Sequence, residues 1–193
     1  MLVRYAVAFL MCIAPLSLAA QESPGGEQTK ATSISLGAVS GGTKSQVMVP
    51  LFVTPYPPEK SVGGITASIE YPNKGITFVK AEKSFLQNDV NAVFQVHVEK
   101  LPEDPSQSVL KVEIATQGEP RKPLNPGLIL TLNFRIEADA SPGSKVILRV
   151  SKAVASDLEK PPKDIQPVAA KNGNIEILAP EAVPYVGCFF FTH

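Results

Sequence analysis

Apolar and polar side chains alternate with a period of two along most of the chain from Thr32 onward, in short runs separated by turn residues. The longest run, residues 128–136, keeps this period without interruption. Because successive side chains of a β-strand point to opposite faces, strict alternation predicts strands with one buried and one solvated face, as in antiparallel sheets. Outside residues 1–20 no helical periodicity is present, and residues 84–91 predict one helical turn within a loop.

Nine runs carry the strand pattern. They lie at residues 34–36, 47–53, 65–71, 76–78, 92–98, 110–114, 128–136, 146–150 and 175–178. Turn residues rich in Pro and Gly separate them, and short strands at this spacing predict an all-β sandwich in a single domain. Pro50 interrupts the second run, which predicts an edge strand because proline cannot donate to a ladder.

Residues 1–20 have the pattern of a secretory signal. Arg4 lies in a short positive segment, the apolar run extends from Tyr5 to Leu16, and small residues precede Ala20. The run is too short to span a bilayer comfortably, so we expect cleavage after Ala19 or Ala20. The protein is then secreted, periplasmic or held in the cell envelope. A buried N-terminal helix is the alternative interpretation.

Downstream of this signal, residues 21–31 combine Pro, Gly and charge without an apolar period, which predicts a flexible spacer. Cleavage after Ala20 leaves Cys188 as the single cysteine. The expected compartment permits disulfides, but an intramolecular one is then excluded.

Composition argues against several kinds of chemistry. The 18 Lys and Arg residues balance 18 Asp and Glu residues, whereas a nucleic-acid binder needs a basic surface. His97 and His193 are the only histidines, and no nucleophile or phosphate-loop motif is present. Glu70, Glu99 and Glu113 would make a glycosidase pair only across a cleft, which a flat sheet rarely provides. The sequence therefore predicts no catalytic residue, metal site or cofactor.

Four stretches resemble the cohesin domain, the scaffold module of cellulosomes. They are SLGAVSGGTKSQVMVPLFV, GGITASIEYPNKGITFVKAE, GLILTLNFRIEADASPGSKVILRV and NGNIEIL. They are distributed over roughly residues 32–178, and the third is the most specific, with its Asp-Ala-x-Pro-Gly turn. At two third-strand positions where cellulosomal members carry Asn and Asp, this chain has Gly64 and Thr66.

The resemblance implies a nine-stranded jelly-roll sandwich with no catalytic residues, which binds a protein module, the dockerin, through the outer face of one sheet. The partner is then dockerin-like or a component of an envelope or secretion assembly. If the family's strand order holds, ten polar residues line that face: Thr66, Ser68, Glu70, Gln95, His97, Glu99, Lys111, Glu113, Arg149 and Ser151. Such a mixed-charge surface suits protein recognition, and it equally fits a plain solvated face.

Carbohydrate binding is the alternative function, which would place the module in polysaccharide catabolism. Sugar-binding faces need exposed aromatic platforms, because the apolar side of a sugar packs on a ring. The chain has no Trp, Tyr71 has inward parity, and Tyr56 stands alone in a Pro-rich loop.

The segment 179–193 follows the last predicted strand and is unusually aromatic for a tail. It carries two prolines, then Cys188, Phe189, Phe190 and Phe191 in succession. Disordered segments are poor in aromatic residues, so we expect this tail to dock, either on another component or back on the sandwich as an extra edge strand. Cys188 would be available for an intermolecular bond or a modification.

Overall fold

Two β-sheets pack face to face in the computed structural model, which describes residues 30–179. The first sheet contains, in spatial order, β11 (Val168–Lys171), β1 (Thr32–Leu36), β3 (Gln46–Thr54), β8 (Gly127–Ile136) and β5 (Ile76–Lys83). The second contains β2 (Ala38–Gly41), β12 (Gly173–Ile177), β9 (Lys145–Ser156), β4 (Gly64–Pro72), β7 (Gln107–Thr116) and β6 (Ala92–Lys100), and β10 (Asp164–Ile165) pairs with β9. The predicted all-β sandwich is confirmed.

All nine predicted runs form strands, and three further strands bring the number in the described residues to twelve. The additional strands are β2, β10 and β11, which have only two to four residues each. Strands this short cannot show an alternating pattern, so they were not predicted from the sequence. Two of them make the parallel pairs that close the jelly roll: β1 pairs with β11, and β2 pairs with β12.

Pro50 does not lie in an edge strand, and that prediction was wrong. Strand β3 pairs with β1 on one side and with β8 on the other. The carbonyl of Pro50 accepts a hydrogen bond from the Gly37 amide (2.9 Å), so the proline nitrogen also faces the β1 side. The pairing of β3 with β1 has already ended at Leu36 and Leu51, so no hydrogen bond of this pairing requires an N–H group on Pro50. A Cβ on Gly37 would lie 2.5 Å from Pro50 Cγ, which explains the glycine.

The core lies between the sheets and is centred on Phe134 of β8. Its ring meets Tyr71 edge-on at 5.3 Å and Phe78 at 5.6 Å between centroids. The Tyr71 contact joins β4 to β8 across the sandwich, and the Phe78 contact joins β8 to its neighbour β5 within one sheet. Tyr71 is buried, as its inward parity predicted, and this burial raises the pKa of its hydroxyl.

Residues 84–91 connect β5 to β6 and contain one short 3-10 turn, Phe85–Gln87, which confirms the predicted helical turn. The Ser84 hydroxyl caps it by accepting a hydrogen bond from the Leu86 amide at 3.2 Å. The buried Gln87 side chain donates to the carbonyls of Asn125 and Leu128 and accepts from the Asn125 amide. These bonds fix the loop against the segment that precedes β8.

Candidate partner-binding face

The outer surface of strands β9, β4, β7 and β6 is a polar face built from four neighbouring strands. We call it the β9–β6 face. The structure places all ten residues of the predicted set on it: Thr66, Ser68, Glu70, Gln95, His97, Glu99, Lys111, Glu113, Arg149 and Ser151. Antiparallel registers align them in rows across the four strands. Their role in binding stays a prediction.

One end of the β9–β6 face is neutralised by ion pairs across neighbouring strands. Lys111 Nζ lies 2.7 Å from Glu99 Oε2, and Arg149 Nε lies 3.2 Å from Glu70 Oε2. The Glu70 side chain is only 15% exposed, and the Arg149 guanidinium compensates its negative charge. These side chains border the outward-facing Val109, which is buried. The exposed Lys111–Glu99 pair contributes little to stability, but both pairs set the pattern of charge on the surface.

The other end of the face contains a groove of about 650 Å³. Thr66 lies in its floor, between Glu113 of β7 and Val154 of β9. Pro162 and Asp164 form part of its wall. Within residues 30–179, neither Glu113 nor Asp164 takes part in an ion pair. The groove therefore presents uncompensated negative charge.

The groove wall is held in place by Asp157, at the start of the loop after β9. Its Oδ1 accepts hydrogen bonds from the amides of Lys163 (2.9 Å) and Glu159 (3.0 Å). The bond from Lys163 is the main cause of a lowered pKa for the Asp157 carboxyl. On the inner side, a Cβ on Gly63 would lie 2.2 Å from the Asp157 carbonyl oxygen, so this close approach requires glycine.

Lys152 and Val154 belong to the face although sequence reasoning missed them. A β-bulge between Ser68 and Ile69 shifts the β4–β9 register, so that Arg149 pairs with Glu70 but Lys152 pairs with Ser68. Ser151 is the extra residue and remains exposed. A bulge inverts the parity of all residues beyond it, and the alternation of residues 146–150 contains no signal for this change.

Several predicted segments lie outside the described residues. They are the signal at residues 1–20, most of the spacer at 21–31, and the tail residues Cys188, Phe189, Phe190 and Phe191. Between residues 30 and 179, no helix is long and apolar enough to cross a membrane. The same part of the chain contains no group of three or more His, Cys, Asp or Glu side chains placed to hold a metal ion.

Aromatic side chains do not provide a sugar platform on the β9–β6 face. Tyr56 and Phe85 are the exposed aromatic residues in the part of the chain that the structure describes, and both lie in loops. Phe94 of β6 points toward the facing sheet, as its pairing with the buried Ile114 shows. Carbohydrate binding is therefore not favoured.

A model of the cohesin domain matches residues 32–177, about three quarters of the chain. No curated protein matches the chain.

Solved structures with the same fold are cohesins of low sequence identity. The sixth cohesin of scaffoldin B from Acetivibrio cellulolyticus, in complex with a Cel5 dockerin, is 18% identical with a TM-score of 0.59, and the match covers 76% of this chain and 99% of that one. A non-cellulosomal cohesin from the archaeon Archaeoglobus fulgidus is 22% identical with a TM-score of 0.57, covering 78% and 94%. The OlpC cohesin from Clostridium thermocellum, in a type I complex with a dockerin, is 18% identical with a TM-score of 0.57, covering 77% and 94%.

Proposed function

Because the chain belongs to the cohesin domain family, we propose that its β9–β6 face binds a protein module of the dockerin type. Cohesin domains are non-catalytic interaction modules, so this protein acts by binding a protein partner and not by catalysis. The observation that carries the proposal is the division of one sheet face into an ion-paired end and a groove with two uncompensated carboxylates. Similar cohesins are seen in complex with dockerins.

The charge of the groove favours a partner that presents a basic side chain. Glu113 and Asp164 line it without a cation of their own, so a Lys or Arg side chain of the partner would find charge-assisted hydrogen bonds there. Val93 and Val154 supply apolar contact beside these carboxylates. A basic side chain whose stem packs on the apolar residues and whose head reaches the carboxylates fits this arrangement.

The direct test measures binding of the protein to a panel of recombinant dockerin modules from the source organism, by biolayer interferometry. The Cel5 dockerin serves as a heterologous comparison. We expect saturable binding to at least one panel member and none to insoluble polysaccharide. If no dockerin binds and the protein instead adsorbs to polysaccharide, both the partner class and the mode of action are wrong.

Charge reversal in the groove should weaken that binding without unfolding the protein. In the Glu113→Lys variant a like charge meets the basic group of the partner, and we expect affinity to fall at least about tenfold. The free energy of unfolding should change by no more than about 0.5 kcal/mol, because Glu113 is exposed and forms no ion pair in the described residues. Titration at low and at high salt checks the electrostatic origin, since screening should reduce the difference.

The matched control is Glu103→Lys, which makes the same charge change in the exposed turn between β6 and β7. Its affinity should remain at the level of the unmodified protein. Equal losses in the two variants would indicate a nonspecific effect of net charge and would remove the groove from the binding site.

We also propose that the protein works outside the cytoplasm, on the evidence of its N-terminal residues. Expression of the full chain in a bacterial host should yield an exported protein whose first residue is Gln21 or Ala20, as determined by N-terminal sequencing. Substitution of Leu10 by Arg in the apolar run should abolish export, whereas Leu10→Ile should preserve it. Recovery of exported protein that still begins with Met1 would contradict the predicted cleavage.

A further inference from the structure

The sandwich is open along one side, between strands β5 and β6. These strands are the edges of the two facing sheets, and residues 84–91 connect them at one end. Phe78 lines two adjoining cavities there, one of about 340 Å³ with Phe94 and Val96 and one of about 320 Å³ with Val98. Val98 has inward parity and yet is 48% exposed. We call this apolar groove the open seam.

The β6 strand that borders the open seam has an unpaired edge. Within the described residues it pairs with β7 on one side and with no strand on the other. Native edges are usually blunted by Pro, by a bulge, by shortness or by charged side chains, because a free ladder invites pairing with another strand. In β6 the charged residues, Glu99 and Lys100, are confined to the last two positions. Strand β6 spans nine residues, contains no Pro, and pairs with β7 without a register shift. It is therefore prepared to accept one further strand.

The described chain leaves the sandwich at the end from which this edge can be reached. The Leu178 amide still bonds to the Gly41 carbonyl at 2.9 Å, so the chain leaves at the last residues of β12. The pairing registers of β12, β9, β4, β7 and β6 show that this end of β12 lies at the same end of the sheet as Lys100, the last residue of β6. A segment that enters there and follows β6 runs antiparallel to it.

The chain beyond residue 179 has the length and composition that this path requires. From β12 to a position beyond β6 there are five strand spacings, about 24 Å in all. The eight steps from Leu178 to Val186 span about 25 Å in the extended form that prolines favour, and Pro180 and Pro184 lie within them. Residues 186–193 contain no proline and are rich in aromatic side chains, which suit a strand.

We propose that residues 186–193 of this same chain add to β6 as an antiparallel strand, with Phe189 and Phe191 covering the open seam. In a strand these two rings point to one side and Phe190 to the other. The paired rings belong on the seam because Phe94, Val96 and Val98 line it, whereas the opposite side of β6 presents Gln95, His97 and Glu99. This intramolecular site is independent of the proposed dockerin binding.

Hydrogen exchange of the full chain tests the proposal, with mass spectrometric readout of β6 peptides. In the Phe189→Ser/Phe191→Ser double variant the β6 amides that do not bond to β7 should exchange at least about tenfold faster, while β3 and β8 amides keep their protection. The Phe190→Ser variant is the control, and its β6 exchange should stay close to that of the unmodified chain. Equal β6 exchange in the unmodified chain and the double variant overturns the proposal.

Size-exclusion chromatography with light scattering tests the other possible occupant of the β6 edge, which is a strand from a second copy of the chain. The proposal expects a monomer whose β6 protection does not depend on protein concentration. A dimer whose β6 protection disappears on dilution would show edge-to-edge pairing between copies and would overturn the intramolecular assignment.

Discussion

The Thr66→Trp variant should bind its dockerin-type partner at least about 30-fold more weakly than the unmodified protein, a loss of about 2 kcal/mol of binding free energy. Thr66 lies in the floor of the β9–β6 groove, between Glu113 and Val154 on the neighbouring strands. An indole there would occupy the space that we propose for the partner's side chain. Tryptophan suits a strand, so the sheet itself should tolerate the change. Isothermal titration calorimetry measures the affinity.

Thr131→Trp is the matched control, because Thr131 also lies on a central strand with partial exposure, but on the outer surface of the opposite sheet. It should leave affinity unchanged. A larger loss in this control than in Thr66→Trp would move the binding site to the first sheet.

The Phe134→Ala variant should lose about 3–5 kcal/mol of unfolding free energy, the usual cost of removing a buried phenylalanine ring. Phe134 is fully buried, and its ring contacts both Tyr71 and Phe78 edge-on. Truncation leaves a cavity at the point where the two sheets meet, and the neighbouring rings lose their partner. For a domain of this size we expect the melting temperature to fall by roughly 10 °C or more, as measured by circular dichroism.

Phe85→Ala provides the comparison, since Phe85 is 74% exposed in the loop between β5 and β6. Its unfolding free energy should change by about 0.5 kcal/mol or less. Similar losses in the two variants would mean that the β4–β5–β8 aromatic cluster does not organise the core.

Local patterning was sufficient to predict the nine strands of five or more residues and the direction of most of their side chains. The run at residues 128–136 places Leu130, Leu132 and Phe134 in the core because each sits two residues from the next. The same parity put Thr66, Ser68 and Glu70 on the outer face of β4, where they are found. Alternation is a property of neighbouring residues, and it can be predicted without knowing which strands are adjacent.

Local patterning failed wherever a contact between distant residues changes the backbone. Bulges between Leu51 and Phe52, between Phe78 and Lys80, and between Ser68 and Ile69 shift three registers. The third brings Lys152 onto the β9–β6 face. The prediction of an edge strand rested only on the missing N–H group of Pro50. In the structure the pairing of β1 with β3 ends at Leu36, and the Gly37 amide donates to the Pro50 carbonyl.

By itself, the sequence determined that the chain forms an all-β sandwich, that the ten polar residues point outward from their strands, and that the chain resembles a known family. Only the tertiary structure decided that Glu70 is compensated by Arg149 while Glu113 is not, and that a loop fixed by Asp157 walls a groove over Thr66. The physical reason is that charge compensation and concavity depend on the order of strands in a sheet. In this sheet β4 lies between β9 and β7, although these strands are far apart in the chain. No periodicity within a single run encodes this order.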